Sequence, residues 1–206
     1  MKQYRTYLFD FDGTLVDSHD SLVKVFKDSY AVVGVDVPEN VVLRLMRIPL
    51  KQGYEELNAP IDEESKKIFV DKINETLDAP EVLKLTKTYE DTVNTLKALK
   101  AKGCTLGIVT SNNRKHVLDV LGFLDIPSNM FSVIVGNGET SKHKPNPDPI
   151  YKALELLNIS KDEVCYVGDA IGDYQTGINA GIDGVLLDRL NEYQDLEVIH
   201  SLEELL

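Results

Sequence analysis

Five short apolar runs, at residues 6–9, 105–109, 132–135, 163–167 and 184–187, set the rhythm of this chain. Several are apolar almost without interruption, where a half-exposed strand would alternate; this is the pattern of strands covered on both faces. Between the later runs the apolar residues recur at helical spacing. Residues 90–101 carry Val93, Leu96, Ala98 and Leu99 on one face and stop at Gly103; residues 114–121 carry Val117, Leu118 and Leu121. Pro147 opens a third helix through Ile150, Leu154 and Leu157, since a proline in the first turn costs no backbone bond. A fourth follows Asp173, with Ile178 near its end and Gly181 as its stop. Strand, helix, strand with short loops predicts an α/β fold: a Rossmann-like parallel sheet wrapped by helices on both faces.

The first strand breaks the rhythm. About 75 residues separate Thr14 from Glu90, and none of them reads as a strand of the sheet. Helical segments at 21–33, 39–47, 53–57 and 62–77 fill the interval, punctuated by Pro38, Pro49, Pro60 and Pro80. Asp62, Glu63 and Glu64 place acids where a helix dipole favours them. A plain helical elaboration of one domain is the other reading, but the length favours an inserted α-helical cap. The expected division is a catalytic core of residues 1–16 and 84–206 with a cap at 17–83.

Composition narrows the partners. The chain of 206 residues has 22 basic and 34 acidic side chains, a formal charge of −12, and a pI near 4.7. Most of such a surface repels phosphate backbones and anionic lipid, so neither nucleic acid nor a membrane is expected as a partner. No stretch approaches the roughly 20 apolar residues of a membrane span. The N-terminal run is too short for a signal segment and is interrupted by Asp10. Cys104 and Cys165 read as small core residues, which points to a reducing, cytoplasmic setting. The four histidines, His19, His116, His143 and His200, are scattered and form no ligand pair.

The candidate chemistry lies just past the strand ends, where parallel sheets gather ligands. Strand one runs into Asp10 and Asp12, strand two into Thr110 and Ser111, and strand four into Asp169, with Asp173 four residues on. Lys144 lies in the loop between strand three and the next helix. Taken singly, each has an ordinary explanation as a turn residue, a helix cap or a surface lysine. Together, four carboxylates in one crevice would repel one another and take up protons unless a cation sat among them. Oxygen-only ligands select Mg²⁺ over softer metals. With Lys144, such an ion makes the crevice cationic enough for a phosphoryl group, and Thr110 can donate a hydroxyl hydrogen bond to it. One carboxylate can then attack phosphorus while a second moves the proton of the leaving oxygen.

Asp10-Phe11-Asp12-Gly13-Thr14, Thr110, Lys144-Pro145 and Gly168-Asp169-Ala170-Ile171-Gly172-Asp173 resemble the four signature motifs of the haloacid dehalogenase superfamily, in its phosphatase branch, over the whole chain. The resemblance implies that Asp10 is the nucleophile and Asp12 the general acid/base. It implies that Mg²⁺ is held by the carboxylates of Asp10 and Asp169 and by the Asp12 carbonyl, with Asp173 supporting the site directly or through water. Thr110, Ser111 and Lys144 would hold the phosphoryl oxygens. The implied activity is hydrolysis of a small phosphorylated metabolite through an aspartyl-phosphate, by a monomer or homodimer. The insert is similar to the α-helical caps of phosphoglycolate phosphatase and β-phosphoglucomutase, and Arg47 and Lys51 are its candidates for substrate specificity.

Departures from the family pattern bear on the activity. True dehalogenases lack the second aspartate, so Asp12 argues against carbon–halogen cleavage. The mutases carry a histidine in the first cap helix where Leu22 stands here, and His19 falls out of register. Many relatives carry Pro-Gly at the return from cap to core, where this chain has Thr88-Tyr89-Glu90-Asp91. The alternatives left are a phosphosugar mutase or a pyrophosphatase of the same family and, in a different class, a non-hydrolytic phospho-aspartate switch or binding protein. A switch of the receiver type would need no long insert after its first strand.

Overall fold

The computed structural model describes residues 2–45, 53, 55–57 and 62–206. The chain divides into two compact units, Met1–Asp17 with Lys87–Leu206, and Ser18–Thr86.

In the first unit, β1 (Thr6–Phe9) lies inside a six-stranded sheet with β4 (Thr105–Val109) on one side and β6 (Val164–Gly168) on the other. Beyond β4 comes β5 (Val133–Val135); beyond β6 come β7 (Asp183–Leu187) and β8 (Val198–Ile199). Every pairing in this sheet is parallel, and Phe9 is level with both Ile108 and Val167. All four residues of β1 and all five of β6 are buried, as their unbroken apolar runs predict.

Four helices of this unit follow the predicted spacing: Thr92–Ala101, Arg114–Phe123, Asp148–Leu157 and Ile171–Ala180. Their apolar residues close over the sheet; Ile150, Ala153 and Leu154, for example, pack with Leu8, Val109, Val135 and Tyr166. Each fully buried aliphatic side chain of this kind contributes roughly 1.5–3 kcal/mol.

Three features differ from the sequence reading. The last helix begins at Ile171, before Asp173, and the Asp173 carboxylate accepts the Ala170 N–H at 3.1 Å, closing the first turn from inside the helix. Strand β8 is only two residues long and carries no period of its own; it forms because Leu186 and Leu187 offer it an edge. A separate two-stranded sheet pairs β2 (Val16–Asp17) antiparallel with β3 (Lys87–Thr88), the points where the chain leaves and re-enters this unit.

Cys104 and Cys165 are both free thiols, the first half-buried and the second buried. Thr105 and Cys165 lie on opposite sides of β1, which puts two strand spacings, about 10 Å, between the cysteines. That is beyond disulfide reach.

The second unit is helical where it is described: His19–Ala31, Glu39–Leu45, Glu63–Thr76 and the short Pro80–Leu83. Asp62 caps the third, its carboxylate accepting the Ser65 N–H at 2.7 Å. Val23, Tyr30, Val37, Val42, Leu45 and Phe69 form the core, with the Tyr30 and Phe69 rings 4.7 Å apart. Arg47 and Lys51 lie outside the described residues, as does residue 54 of the predicted 53–57 segment. Among the described residues, no helix is long and apolar enough to cross a membrane.

Candidate active site

The polar crevice is built at the carboxyl edge of the sheet. Past Phe9, Asp10 is still held by the ladder, its N–H donating to the Val167 carbonyl at 2.8 Å. The chain then turns sharply, with Leu15 N–H and Val16 N–H both donating to the Phe11 carbonyl. Gly13 makes the turn at φ +73°, and a Cβ there would lie 2.4 Å from an Asp169 carboxylate oxygen. Only glycine satisfies both the backbone angle and the approach. Gly168 serves Asp173 in the same way, since a Cβ on it would stand 2.3 Å from the Asp173 Cβ.

Four sequence-predicted residues meet here. Lys144 Nζ lies 2.8 Å from Asp10 Oδ1 and 2.6 Å from Asp173 Oδ1. Asp169 Oδ1 accepts the Thr14 hydroxyl at 2.9 Å. Asp10, Asp169 and Asp173 each offer a carboxylate oxygen within 4.8 Å of the others. Two further residues stand at the crevice: Asp12, half-buried, accepts a hydrogen bond from the Asn112 side-chain amide, and Thr110 is 7% exposed at the end of β4. Ser111 is exposed to solvent.

Three residues that sequence reasoning left out belong to the same network. Tyr166, read as part of an apolar strand, donates its hydroxyl to the Val109 carbonyl at 2.7 Å and accepts from Lys144 at 3.2 Å. Thr14 was legible only as the end of the first motif. Asn112 had a signal available, since it follows Thr110 and Ser111 past the same strand end.

The electrostatics are unbalanced. Burial, with the nearby charges of Asp173 and Asp169, pushes the Asp10 carboxyl well above the usual carboxylate range, although Lys144 opposes this. Burial and Asp173 raise Asp169 to about 6. Lys144 is also raised: burial favours its neutral form, but the Asp10 and Asp173 carboxylates outweigh it and hold the ammonium charged. Three carboxylates, two buried and that of Asp169 partly buried, around one ammonium leave a deficit of positive charge. A hard divalent cation among the oxygens of Asp10, Asp169 and Asp173 would remove it, so the residues present fit such an ion.

Comparison with known proteins agrees with this geometry. Residues 7–187 match the haloacid dehalogenase-like hydrolase family. The chain is 32% identical to a phosphoglycolate phosphatase of Aquifex aeolicus, over 86% of this chain and 81% of that protein. It is 25% identical to the pyrophosphatase PpaX of Halalkalibacterium halodurans, over 99% and 96% of the two chains. Among solved structures, a Bacteroides fragilis protein assigned provisionally to the haloacid dehalogenase-like hydrolases superimposes with a TM-score of 0.86 at 26% identity, covering 99% of this chain and 100% of that one. With the motif residues gathered at one sheet edge and the family match running almost the full length, the chain belongs to the haloacid dehalogenase-like hydrolase family.

Proposed function

We propose that this protein is a Mg²⁺-dependent phosphatase that hydrolyses a small phosphorylated metabolite through an aspartyl-phosphate on Asp10. The observation that carries the reading is Lys144 bridging the buried Asp10 and Asp173 beside the partly buried Asp169, a cluster short of positive charge. Asp10 and Asp169 would hold Mg²⁺ together with the Asp12 carbonyl, with Asp173 in support; the ion supplies positive charge to the transferring phosphoryl group. Lys144 and the Thr110 hydroxyl bind phosphoryl oxygens, and Ser111 adds to that anchor. An Asp10 carboxylate oxygen attacks phosphorus as the ester bond breaks, and Asp12, held by Asn112, gives its proton to the leaving oxygen. Asp12 then takes a proton from water, which attacks the acyl-phosphate, releases phosphate and restores Asp10. Substrate choice is assigned to the helical insert acting as a cap, with Arg47 and Lys51 as its cationic candidates. The acidic chain and the small substrate fit a cytoplasmic enzyme of metabolism.

A second reading, hydrolysis of inorganic pyrophosphate, is favoured by the likeness to PpaX proteins. It uses the same residues and differs only in the leaving group. Leu22 in place of the mutase histidine weighs against phosphosugar mutation.

The test is turnover of p-nitrophenyl phosphate, pyrophosphate and a panel of phosphorylated metabolites with Mg²⁺, with EDTA, and with Asp10→Asn. Turnover that EDTA and Asp10→Asn both abolish supports the mechanism. Undiminished turnover in Asp10→Asn sinks it, and a preference for pyrophosphate selects the second reading.

A further inference from the structure

Tyr89, Asp91 and Thr92, where the chain re-enters the first unit, belong to a polar network of their own. Asp91 stands at the N-cap position of the Thr92–Ala101 helix, yet its side chain caps nothing there. Its two oxygens take the Arg189 guanidinium in a fork, Nη1 to Oδ2 and Nη2 to Oδ1, each at 3.0 Å. Asp91 Oδ2 also accepts the Ser201 hydroxyl at 2.9 Å and the Leu202 N–H at 2.8 Å. The guanidinium lies 3.8 Å over the Tyr89 ring.

What this pair holds is the loop that carries the first motif. Arg189 Nη2 donates to the Thr14 carbonyl at 3.0 Å, and the Thr92 hydroxyl donates to the Leu15 carbonyl at 2.9 Å. Thr14, fully buried and fixed by its carbonyl, aims its hydroxyl at Asp169 Oδ1. On the turn that bears Arg189, Tyr193 donates its hydroxyl to the Asp169 carbonyl at 3.4 Å. The Thr14 carbonyl and, through the Thr14 hydroxyl, the Asp169 carboxylate are thus held by one largely buried ion pair.

We infer that Asp91 and Arg189 are positioning residues for the metal site, acting through Thr14 to orient the Asp169 carboxylate. The inference rests on the proposed metal-dependent phosphatase reading and adds to it a determinant of metal affinity. A ligand whose supporting hydrogen bond is lost must be reoriented when the ion binds, and outer partners of this kind affect affinity about tenfold or more.

The probe is Mn²⁺, titrated into the full chain and followed by the electron paramagnetic resonance signal of the free ion, well below the melting temperature. Asp91→Asn, Arg189→Gln and Thr14→Val are each expected to weaken Mn²⁺ binding by about tenfold. The Mg²⁺ concentration giving half-maximal turnover should rise in parallel, while kcat at saturating metal changes far less. Because the effect runs through Thr14, the double variant Thr14→Val/Arg189→Gln should bind Mn²⁺ no more weakly than Thr14→Val alone. Arg189→Lys keeps the charge opposite Asp91 and so remains folded where a neutral residue fails; it should show a smaller loss in the same direction. Folded variants with wild-type Mn²⁺ affinity and a lowered melting temperature would reduce the pair to a structural brace and overturn the inference. Losses that multiply in the double variant would overturn it too. A wild-type protein that neither binds Mn²⁺ nor hydrolyses a phosphoester would overturn the functional reading, and this inference with it.

Discussion

Asp10 and Asp91 are buried to the same extent, 8% exposed each, and each is paired with one basic side chain. Their carboxyls are nevertheless displaced in opposite directions. Burial raises both; at Asp10 the charges of Asp173 and Asp169 add to it, and Lys144, shared with Asp173, does not compensate. At Asp91 the Arg189 hydrogen bonds, the Leu202 N–H and the Ser201 hydroxyl outweigh burial and hold the carboxyl below the usual range. One site is short of positive charge; the other is closed and satisfied. Burial alone therefore does not fix the direction of a carboxyl's shift; the local balance of charges and donors does.

Neutralising each aspartate in turn should break the comparison most visibly. Asp10→Asn is expected to lower turnover of p-nitrophenyl phosphate by about 10⁴-fold. The melting temperature of the metal-free protein should hold or rise, because one of three crowded carboxylates is gone. A fall in both would mean that Asp10 is structural.

Lys144→Met removes the ammonium shared by Asp10 and Asp173 and should destabilise the metal-free protein by roughly 3–5 kcal/mol. Mg²⁺ should recover more of the stability of this variant than of wild type, as urea melts with EDTA and with Mg²⁺ would show. Equal recovery in the two proteins would show that the cation does not sit among these carboxylates.

Asp91→Asn acts at the balanced site and should cost roughly 3 kcal/mol at pH 7, where the Arg189 guanidinium loses its counter-ion. The folded Asp91 carboxyl lies below its unfolded value of about 3.9. Its stabilisation is therefore complete above that unfolded value and is lost as pH falls through the folded one. The gap in stability between wild type and variant, constant from pH 7 to about pH 5, should close below about pH 4. A gap that widens on acidification would reverse the assignment.

The smallest effect is expected from Tyr166→Phe, which deletes the hydroxyl between Lys144 and the Val109 carbonyl and should cost about 1 kcal/mol. A modest fall in turnover should accompany it, since Lys144 loses one of the groups that fix its place.

Much of the fold was legible because its strands are buried on both faces and its helices on one. The runs at 6–9, 105–109 and 163–167 needed no partner to be recognised, and four of the helices appeared within about two residues of their predicted limits. Strands β2, β3 and β8 were not legible, because two-residue strands have no period and exist only through their partners. At the site, Asp10, Asp12, Thr110 and Asp169 were legible from their places just past strand ends, and Lys144 from the loop between strand three and the next helix. Tyr166 was hidden inside its apolar run, and Asp91 was read as a mere departure from a family pattern. Arg189 carried no signal, standing 98 residues from the aspartate it grips.

The sequence by itself determined the local matters: which segments are strands or helices, and which residue types stand at the sheet edge. These follow from periodicity and backbone preference, which act over a few residues. Only the tertiary structure decided which aspartates are crowded and which are satisfied. The protonation of a buried carboxyl depends on every charge and donor within a few ångströms, and those come from positions as distant as Asp10, Lys144 and Asp173, or Asp91, Arg189 and Leu202. Asp10 and Asp91 are the same residue type; the fold makes one a candidate nucleophile and the other half of a satisfied ion pair.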